Sequence, residues 1–427
     1  MKSNKRVLLK NTVMLYLLKF STYFLSLITV PYETRVLGVE KYGLIGVAAA
    51  IMTYAQLAID FGFLLSATQE VSLNREDNKK VSSIFTSVTV DKIVLATVTS
   101  LAVSIILGTV EQWRENFLFF ILYLIAAVTH CLVPDFLYRG LEKMEAVTVR
   151  TVLIRVFSTA MIFVFVKSPE DVILIPILQI IGNVVALLLV YVHLHCRLGI
   201  SFVKVNFSDL VDRFKLSSVF FLSRIASTVY TVANTIILDL LSAGSMTAYY
   251  SSADKIVTTG KNAMSPVADS LYPYMMRNKD FKLVKKILLI MEPIIIVGCT
   301  VVFIWATPLC MWFFGDDFAD AAGPLRALLP VVAITLPNYI MGFPVLGAMK
   351  LNKHANYSVM LGSILHVVNL LILFFTSNIN FITLGISTSI TEFIVLLYRC
   401  IVVYKYRHLM KKQSQEESQG EETVKEN

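Results

Sequence analysis

Apolar residues in this chain gather into runs of roughly 20, parted by short polar connections, and a helical run of that length crosses about 30 Å of hydrocarbon. Twelve such runs are legible, at approximately 8–30, 42–66, 83–107, 117–138, 147–166, 172–195, 216–241, 249–275, 286–308, 324–347, 357–377 and 382–404. A bilayer offers the backbone no hydrogen-bonding partner, so each run must satisfy its own polar groups as a helix. The two-residue alternation of a membrane barrel is absent. The pattern predicts an all-α integral membrane protein of about twelve transmembrane helices. The polar connection from Arg197 to Lys215 divides them six and six, giving lobes over 1–200 and 201–404. The tail, 405–427, turns Gln- and Glu-rich and lacks the apolar content to bury a core.

Composition agrees with this pattern. The 427 residues are 56% hydrophobic and 16% charged, with a mean hydropathy of +0.69, whereas soluble domains carry about a quarter charged residues. Among 38 Lys and Arg, only Arg35, Lys41, Arg114, Lys167 and Arg326 fall in the connections on one side of the membrane. Most of the others lie in the opposite connections, which predicts cytoplasmic N- and C-termini. The net charge of +8 then belongs to a membrane-facing surface and implies no nucleic acid. Lys2, Lys5 and Arg6 ahead of an apolar run resemble a signal peptide. The run is too long and no cleavage site follows, so an uncleaved first helix is expected. The 5 cysteines are scattered and suggest neither metal ligands nor a disulfide framework.

The halves also resemble each other. Lys10-Asn11-Thr12-Val13 leads into Lys19 as Lys215-Leu216-Ser217-Ser218 leads into Arg224, at one spacing. Six helices separate the two segments, so both start on the same side, as in a parallel repeat with a pseudo-two-fold axis along the membrane normal.

Soluble-enzyme signatures, including phosphate-binding loops and nucleophile elbows, are missing. Charges inside the spans remain, and each costs roughly 2.5–3.5 kcal/mol at the bilayer centre unless it faces a cavity or a partner. Lys19 lies about 11 residues into its span, hence roughly 16 Å deep, and Arg224 is placed similarly. They can form interior ion pairs that fix helix packing, or a paired cationic site for an anionic substrate. Polar residues recur at helical spacing beside them: Thr12, Tyr16, Thr22, Ser26 and Thr29 in the first span, and Ser217, Ser227, Thr231 and Asn234 in the seventh. The eighth span carries Ser251, Asp254, Thr258, Lys261, Ser265, Asp269 and Tyr272 on one face, with Lys255 and Asn262 beside it. Three such stripes favour walls of a water-filled pathway over simple interhelical hydrogen bonding. Asp60, Asp135 and Asp239 fall near helix ends and read as anchors. Asp91-Lys92 and Arg155 could pair with each other. Glu392 is a candidate coupling group or a packing partner of Arg399. Pro266, Pro273, Pro293, Pro337 and Pro344 suit bent helices.

Several segments carry a family resemblance. They are Pro31-Tyr-x-x-Arg35-Val-Leu37-Gly38-x-Glu40-x-Tyr42-Gly43, Asp60-Phe-Gly62-Phe and Pro134-Asp-Phe-Leu-Tyr-Arg139-Gly140-Leu-Glu142. Tyr249-Tyr-Ser-Ser-Ala-Asp254-Lys255 and Phe313-Phe-Gly315-Asp-Asp-Phe318 follow in the same order. Together they resemble the Wzx-type polysaccharide flippases of the multidrug/oligosaccharidyl-lipid/polysaccharide exporter superfamily. Phe136 stands where that family often has Trp, and Asp239 where an uncharged residue is usual.

The resemblance implies two six-helix bundles around a central cavity, working by alternating access in a bacterial inner membrane. The implied substrate is a polyprenyl-diphosphate-linked oligosaccharide, with the lipid tail left in the bilayer. Polysaccharide polymerase and chain-length proteins are implied as partners, in O-antigen, capsule or exopolysaccharide assembly. Lys19, Arg224, Lys255 and Lys261 would bind the diphosphate, and Thr22, Ser227, Asn234 and Asn262 would bind the sugars. Asp254, Asp269 and Glu392 are the coupling candidates, with H+, Na+ or the membrane potential as the drive. No cofactor is implied. A drug or cation antiporter of the same superfamily would favour acidic and aromatic cavity residues. A polymerase or ligase would expose a long outer loop, and the longest here, about 309–323, is short and acidic.

Overall fold

The computed structural model describes the backbone of residues 2–242 and 244–408. It also describes the side chains of these residues except at 2–12, 15, 19, 146, 219, 222–223, 226–227, 229–231 and 273. Among the described residues the chain is helical throughout and contains no strand. It divides into two compact units, Met1–Thr228 and Val229–Asn427.

The first unit opens with α1 (Lys2–Asp60), in which Gly38 is non-helical (φ 73°, ψ 176°). A straight helix of 59 residues would reach roughly 90 Å, far beyond one bilayer. Side-chain bonds show that it folds back at Gly38. Thr148 donates to the Met14 carbonyl near the start of α7 (Met144–Phe165), and Tyr32 donates to the Val166 carbonyl at 2.6 Å beyond its end. Asp60 returns to the level of Met14, because Lys92 joins it to the Cys131 carbonyl, close to Asp135, and Asp135 pairs with Arg150 of α7. Glycine suits this corner because φ near +73° is strained for any side chain. The fold-back matches the two spans expected from the sequence, but helix continues up to Gly38 on both sides where a loop was expected.

Next come α2 (Phe63–Leu73), α3 (Asn78–Thr109), α4 (Glu111–Arg114), α5 (Phe117–Cys131), α6 (Asp135–Gly140), α7 and α8 (Leu174–His193). Asp77 caps α3 by accepting from the Lys79 and Lys80 amides, both at 3.1 Å. The core of this unit includes Phe63, Val71, Phe85, Phe136, Leu137 and Tyr138. Three of these lie in α6, so the Pro134–Glu142 segment that carries the family resemblance is a packed wedge. Gly140 allows the wedge to close, since a Cβ there would stand 2.6 Å from Val71.

α9 (Phe207–Leu241) begins in the first unit and ends in the second. The second unit continues with α10 (Gly244–Asn278), α11 (Phe281–Ile304), α12 (Ala306–Phe314), α13 (Ala322–Ile340), α14 (Asn352–Phe375) and α15 (Phe381–Lys405). Its core includes Leu271, Met275, Leu336, Ile340 and Met349. α13 runs into a π-helical turn, Met341–Leu346, where Gly342 leaves the helix (ψ −121°) and Pro344 follows. That bend is among those the prolines predicted. Asn380 caps α15 through the Ile382 and Thr383 amides, while Thr383 returns a bond to the Asn380 amide.

Among the described residues, nine helical stretches are long and apolar enough to cross a membrane. The first, Tyr16–Leu73, crosses twice because of Gly38. α9 and α10, at 35 residues each, have the length but carry polar faces. The chain is therefore a multi-pass membrane protein of about twelve helical crossings. Its outward side chains fit a lipid surface: Leu101 and Ile105 on α3, Leu188 on α8, Ile294 and Val301 on α11 and Ile364 on α14 are all exposed.

Candidate functional site

In the first unit the charges converge at the end of α1. Phe61 (φ 39°) and Gly62 (φ 83°) turn the chain from α1 into α2. α9 passes so close to this turn that a Cβ on Gly62 would lie 2.8 Å from Phe220 Cβ and from the Ser217 carbonyl oxygen. Phe61 stacks on Phe214 and Phe221, with ring centroids 4.2 and 4.5 Å away. The Ser66 and Ser217 hydroxyls share a bond of 2.7 Å, and Arg213 Nε reaches both oxygens of Glu70 at 3.1 Å. The first half of α9 is thus fastened along α2, and its side chains reach Asp60 two turns beyond Ser217.

Asp60 is the hub. Its Oδ1 accepts from Lys92 Nζ at 2.9 Å and its Oδ2 from Arg224 Nη1 at 2.8 Å. Lys92 is buried and also donates to the Cys131 carbonyl at 3.0 Å, whereas the Arg224 side chain keeps 39% of its surface exposed. One carboxylate therefore neutralises a buried cation and restrains a second that borders open space. A cavity of about 230 Å³ adjoins the cluster, lined by Gln56, Asp60, Lys92, His130, Asp135 and Arg224 among others. Its lining sets Asp60 and Asp135 against Lys92 and Arg224, so it is a polar recess of balanced charge in which the exposed Arg224 guanidinium can receive an anion and the amide and hydroxyl groups can receive hydroxyls.

The sequence reading missed this cluster. Asp60, read as a helix-end anchor, is instead the shared counter-ion. Lys92, grouped in the sequence with Asp91 and Arg155 as partners of one another, finds its carboxylate 32 residues earlier on another helix. The signal was the Asp60-Phe-Gly62-Phe motif itself, in which a charge precedes a glycine forced to positive φ.

In the second unit Glu392 of α15 takes Lys261 Nζ of α10 at 3.1 Å and the Asn338 amide of α13 at 2.9 Å. Arg399 donates to Ser358 Oγ at 2.8 Å and to the Asn338 carbonyl. Asn338 thus stands between Glu392 and Arg399, and the cation hydrogen-bonded to Glu392 is Lys261. Asn338 went unnoticed in the sequence.

The remaining expected site residues separate. Thr22 donates to the Leu18 carbonyl within its own helix, at 2.8 Å. Asn234 is buried and donates to Tyr250 Oη and Thr388 Oγ1, both at 2.8 Å. Asp254 accepts from Thr258 at 3.3 Å. The Lys255 carbonyl accepts from Thr259 at 2.7 Å and the Asn262 carbonyl from Ser265 at 3.1 Å. Asp269 is exposed. The side chains of Lys19, Ser227 and Thr231 lie outside the described residues.

A family model described as "Polysaccharide biosynthesis protein" matches residues 8–279, which take in the whole Asp60 cluster and more than half the chain. The chain belongs to the polysaccharide biosynthesis protein family. A relative from Escherichia coli (strain K12), named "Putative O-antigen transporter", is 29% identical over 68% of this chain and 70% of its own length. A relative of the same name from Shigella dysenteriae is 24% identical over 65% of this chain and 70% of its own. Among solved structures, an inward closed lipid II flippase MurJ aligns with a TM-score of 0.66 at 14% identity, covering 93% of this chain and 87% of that one. An inward-facing multidrug resistance MATE family transporter aligns with a TM-score of 0.67 at 12% identity, covering 90% and 96%. These two likenesses establish the fold: this family member shares the two-bundle architecture of flippases and multidrug transporters, as the sequence resemblance implied.

Proposed function

We propose that the chain is a flippase that turns polyprenyl-diphosphate-linked oligosaccharide repeat units from the cytoplasmic to the outer leaflet by alternating access. Its setting is O-antigen, capsule or exopolysaccharide assembly at a bacterial inner membrane, with both termini cytoplasmic. It makes and breaks no covalent bonds. Polysaccharide polymerase and chain-length proteins are the partners that would receive the exported unit.

Family membership and the names of the two bacterial relatives support this reading, and the charge asymmetry of the connections supports the orientation. The observation that carries it is Arg224: a half-exposed guanidinium deep in the fold, beside a polar recess, held by a carboxylate already shared with Lys92. A diphosphate offers oxygens in the paired geometry a guanidinium prefers, and sugar hydroxyls suit the Gln56 and Thr53 lining.

Replacing Arg224 by Ala is expected to lower surface glycan export roughly 10–100-fold, the value of one charge-assisted contact of about 1.5–3 kcal/mol, with membrane insertion unchanged. Arg224→Lys should retain a larger share, because the charge stays while the paired donors go. Surface glycan immunoblots with a membrane-fraction control measure this. Wild-type export from Arg224→Ala would remove the proposed role of the recess. Lys19→Ala belongs in the same series as the first-span counterpart.

A further inference from the structure

α14 carries a fully buried histidine, His366, in the middle of an apolar span. Both of its ring nitrogens are engaged. Nε2 lies 2.9 Å from Asn234 Oδ1 of α9, and Nδ1 lies 3.1 Å from Thr391 Oγ1 of α15. The protons on this network can be assigned from the partners. The Asn234 amide nitrogen is committed to Tyr250 Oη and Thr388 Oγ1, and Thr388 spends its own hydrogen on the Leu384 carbonyl at 3.0 Å. Asn234 therefore turns its carbonyl oxygen to the ring, and an oxygen there requires a hydrogen on Nε2.

The other nitrogen faces a hydroxyl with a choice. Thr391 Oγ1 lies 2.9 Å from the Ser387 carbonyl, one turn back, as well as 3.1 Å from Nδ1. With a neutral ring the hydroxyl donates to the Nδ1 lone pair. With a protonated ring Nδ1–H donates to Thr391 Oγ1, and the hydroxyl turns its hydrogen to Ser387. Each state leaves every one of these groups satisfied, and rotation of one hydroxyl converts between them. A packing histidine needs one such arrangement; this one has two.

We propose that His366 is a proton-binding site of the transport cycle. A hydronium ion gives its proton to the Nδ1 lone pair and leaves as water, its O–H bond breaking as the N–H bond forms, and the Thr391 hydroxyl turns from the ring to the Ser387 carbonyl. The charged and titratable groups on the helices that carry its partners include Asp239 of α9, Tyr250, Asp254 and Lys261 of α10, and Glu392, Tyr398 and Arg399 of α15. Glu392 directly follows Thr391 and is held by Lys261 and Asn338, so the ring's charge bears on the contacts that tie α10, α13 and α15 together. The sequence reading placed the coupling ion at Asp254, Asp269 or Glu392 and did not consider His366. The proton's part in transport rests on the flippase reading, whereas the site itself rests on this network.

Two measurements test it. Full-length protein with 15N-labelled histidine, in nanodiscs of phosphatidylethanolamine and phosphatidylglycerol, is titrated by NMR, and the His366 signal is identified by its loss in His366→Gln. The expected ring carries hydrogen on Nε2 alone at high pH and on both nitrogens at low pH. Thr391→Val should lower the midpoint of that change by up to about one pH unit, since the charged ring loses a stronger hydrogen bond than the neutral ring does. A ring that stays singly protonated throughout, carries hydrogen on Nδ1 at high pH, or ignores Thr391→Val overturns the site.

The second measurement follows the outer-to-inner ratio of the lipid-linked unit in cells. For one proton per unit, the ratio should fall by up to about tenfold for each pH unit of gradient collapsed. The His366→Gln ratio should not respond. A response that persists in His366→Gln, or is absent from the wild type, overturns the coupling. Export that continued without the whole chain would instead overturn the flippase reading, and the NMR titration would stand apart from it.

Discussion

Asp60→Ala is expected to cost more than any other single charge removal in the first unit. It strips the carboxylate from two cations at once, 2.9 Å from Lys92 and 2.8 Å from Arg224. Lys92 would remain almost fully buried with the Cys131 carbonyl and the face of the Phe136 ring, its centroid 5.8 Å away, as compensation. Leaving a buried charge unpaired costs about 3–5 kcal/mol. Arg224 should add little to that loss, because its exposed side chain can take up water. The expected result is a thermal unfolding midpoint lowered by several degrees and much less protein in the membrane. The double variant Asp60→Leu with Lys92→Met should recover most of the stability, since an apolar pair of similar volume avoids the desolvation altogether. Its export should stay impaired, because Arg224 has lost its orienting partner. Thermal unfolding of the two proteins in nanodiscs, beside the wild type, is the measurement. Equal stability of Asp60→Ala and wild type would contradict the role assigned to the hub.

Gly62→Ala should produce the other large effect, by a different route. The residue holds φ 83°, where an L side chain costs about 1–2 kcal/mol. The new Cβ would also meet Phe220 Cβ and the Ser217 carbonyl, each at 2.8 Å, and the Phe221 amide at 3.0 Å. Two of those atoms are backbone and cannot swing aside. Overpacking of this kind adds about 1–3 kcal/mol. The helix that must yield is α9, so the strain passes directly to the Ser66–Ser217, Arg213–Glu70 and Arg224–Asp60 contacts. The expected outcome is reduced folded protein and, in what remains, faster proteolysis near the start of α9. Gly108→Ala is the matched control, since nothing lies within 4 Å of its added carbon. Indistinguishable behaviour of the two alanine variants would show that the close passage of α9 does not constrain the fold.

These contacts also mark where sequence reasoning stopped. Helix existence was legible because hydrocarbon imposes a length and an apolar composition on each crossing, and twelve runs met both. Gly38 was visible only as part of a motif. That α1 continues as helix on both sides of it depends on packing against α7, which no local pattern records. Charge depth was legible too: Lys92, Arg224, Lys261 and Glu392 were each recognised as too deep to stand alone. Their partners were not. An ion pair within a membrane bundle joins residues 32, 131 or 164 positions apart, at distances set by how helices pack. Glu392 and Arg399, seven apart on one helix, were an obvious pair by spacing, but Asn338 from α13 enters between them. His366 was overlooked because a lone imidazole in an apolar run leaves no periodic trace. Its only signal was its depth, the criterion already applied to the lysines and arginines.

The central claim is that this chain carries the lipid-linked oligosaccharide across the bilayer. Deleting its gene in the native host and assaying the polyprenyl-linked repeat unit on each face of the inner membrane tests it most directly. The account predicts loss of surface glycan, with complete repeat units accumulating on the cytoplasmic face and both effects reversed by the wild-type gene. Surface glycan that persists without the chain, or repeat units that still reach the outer face, would contradict it.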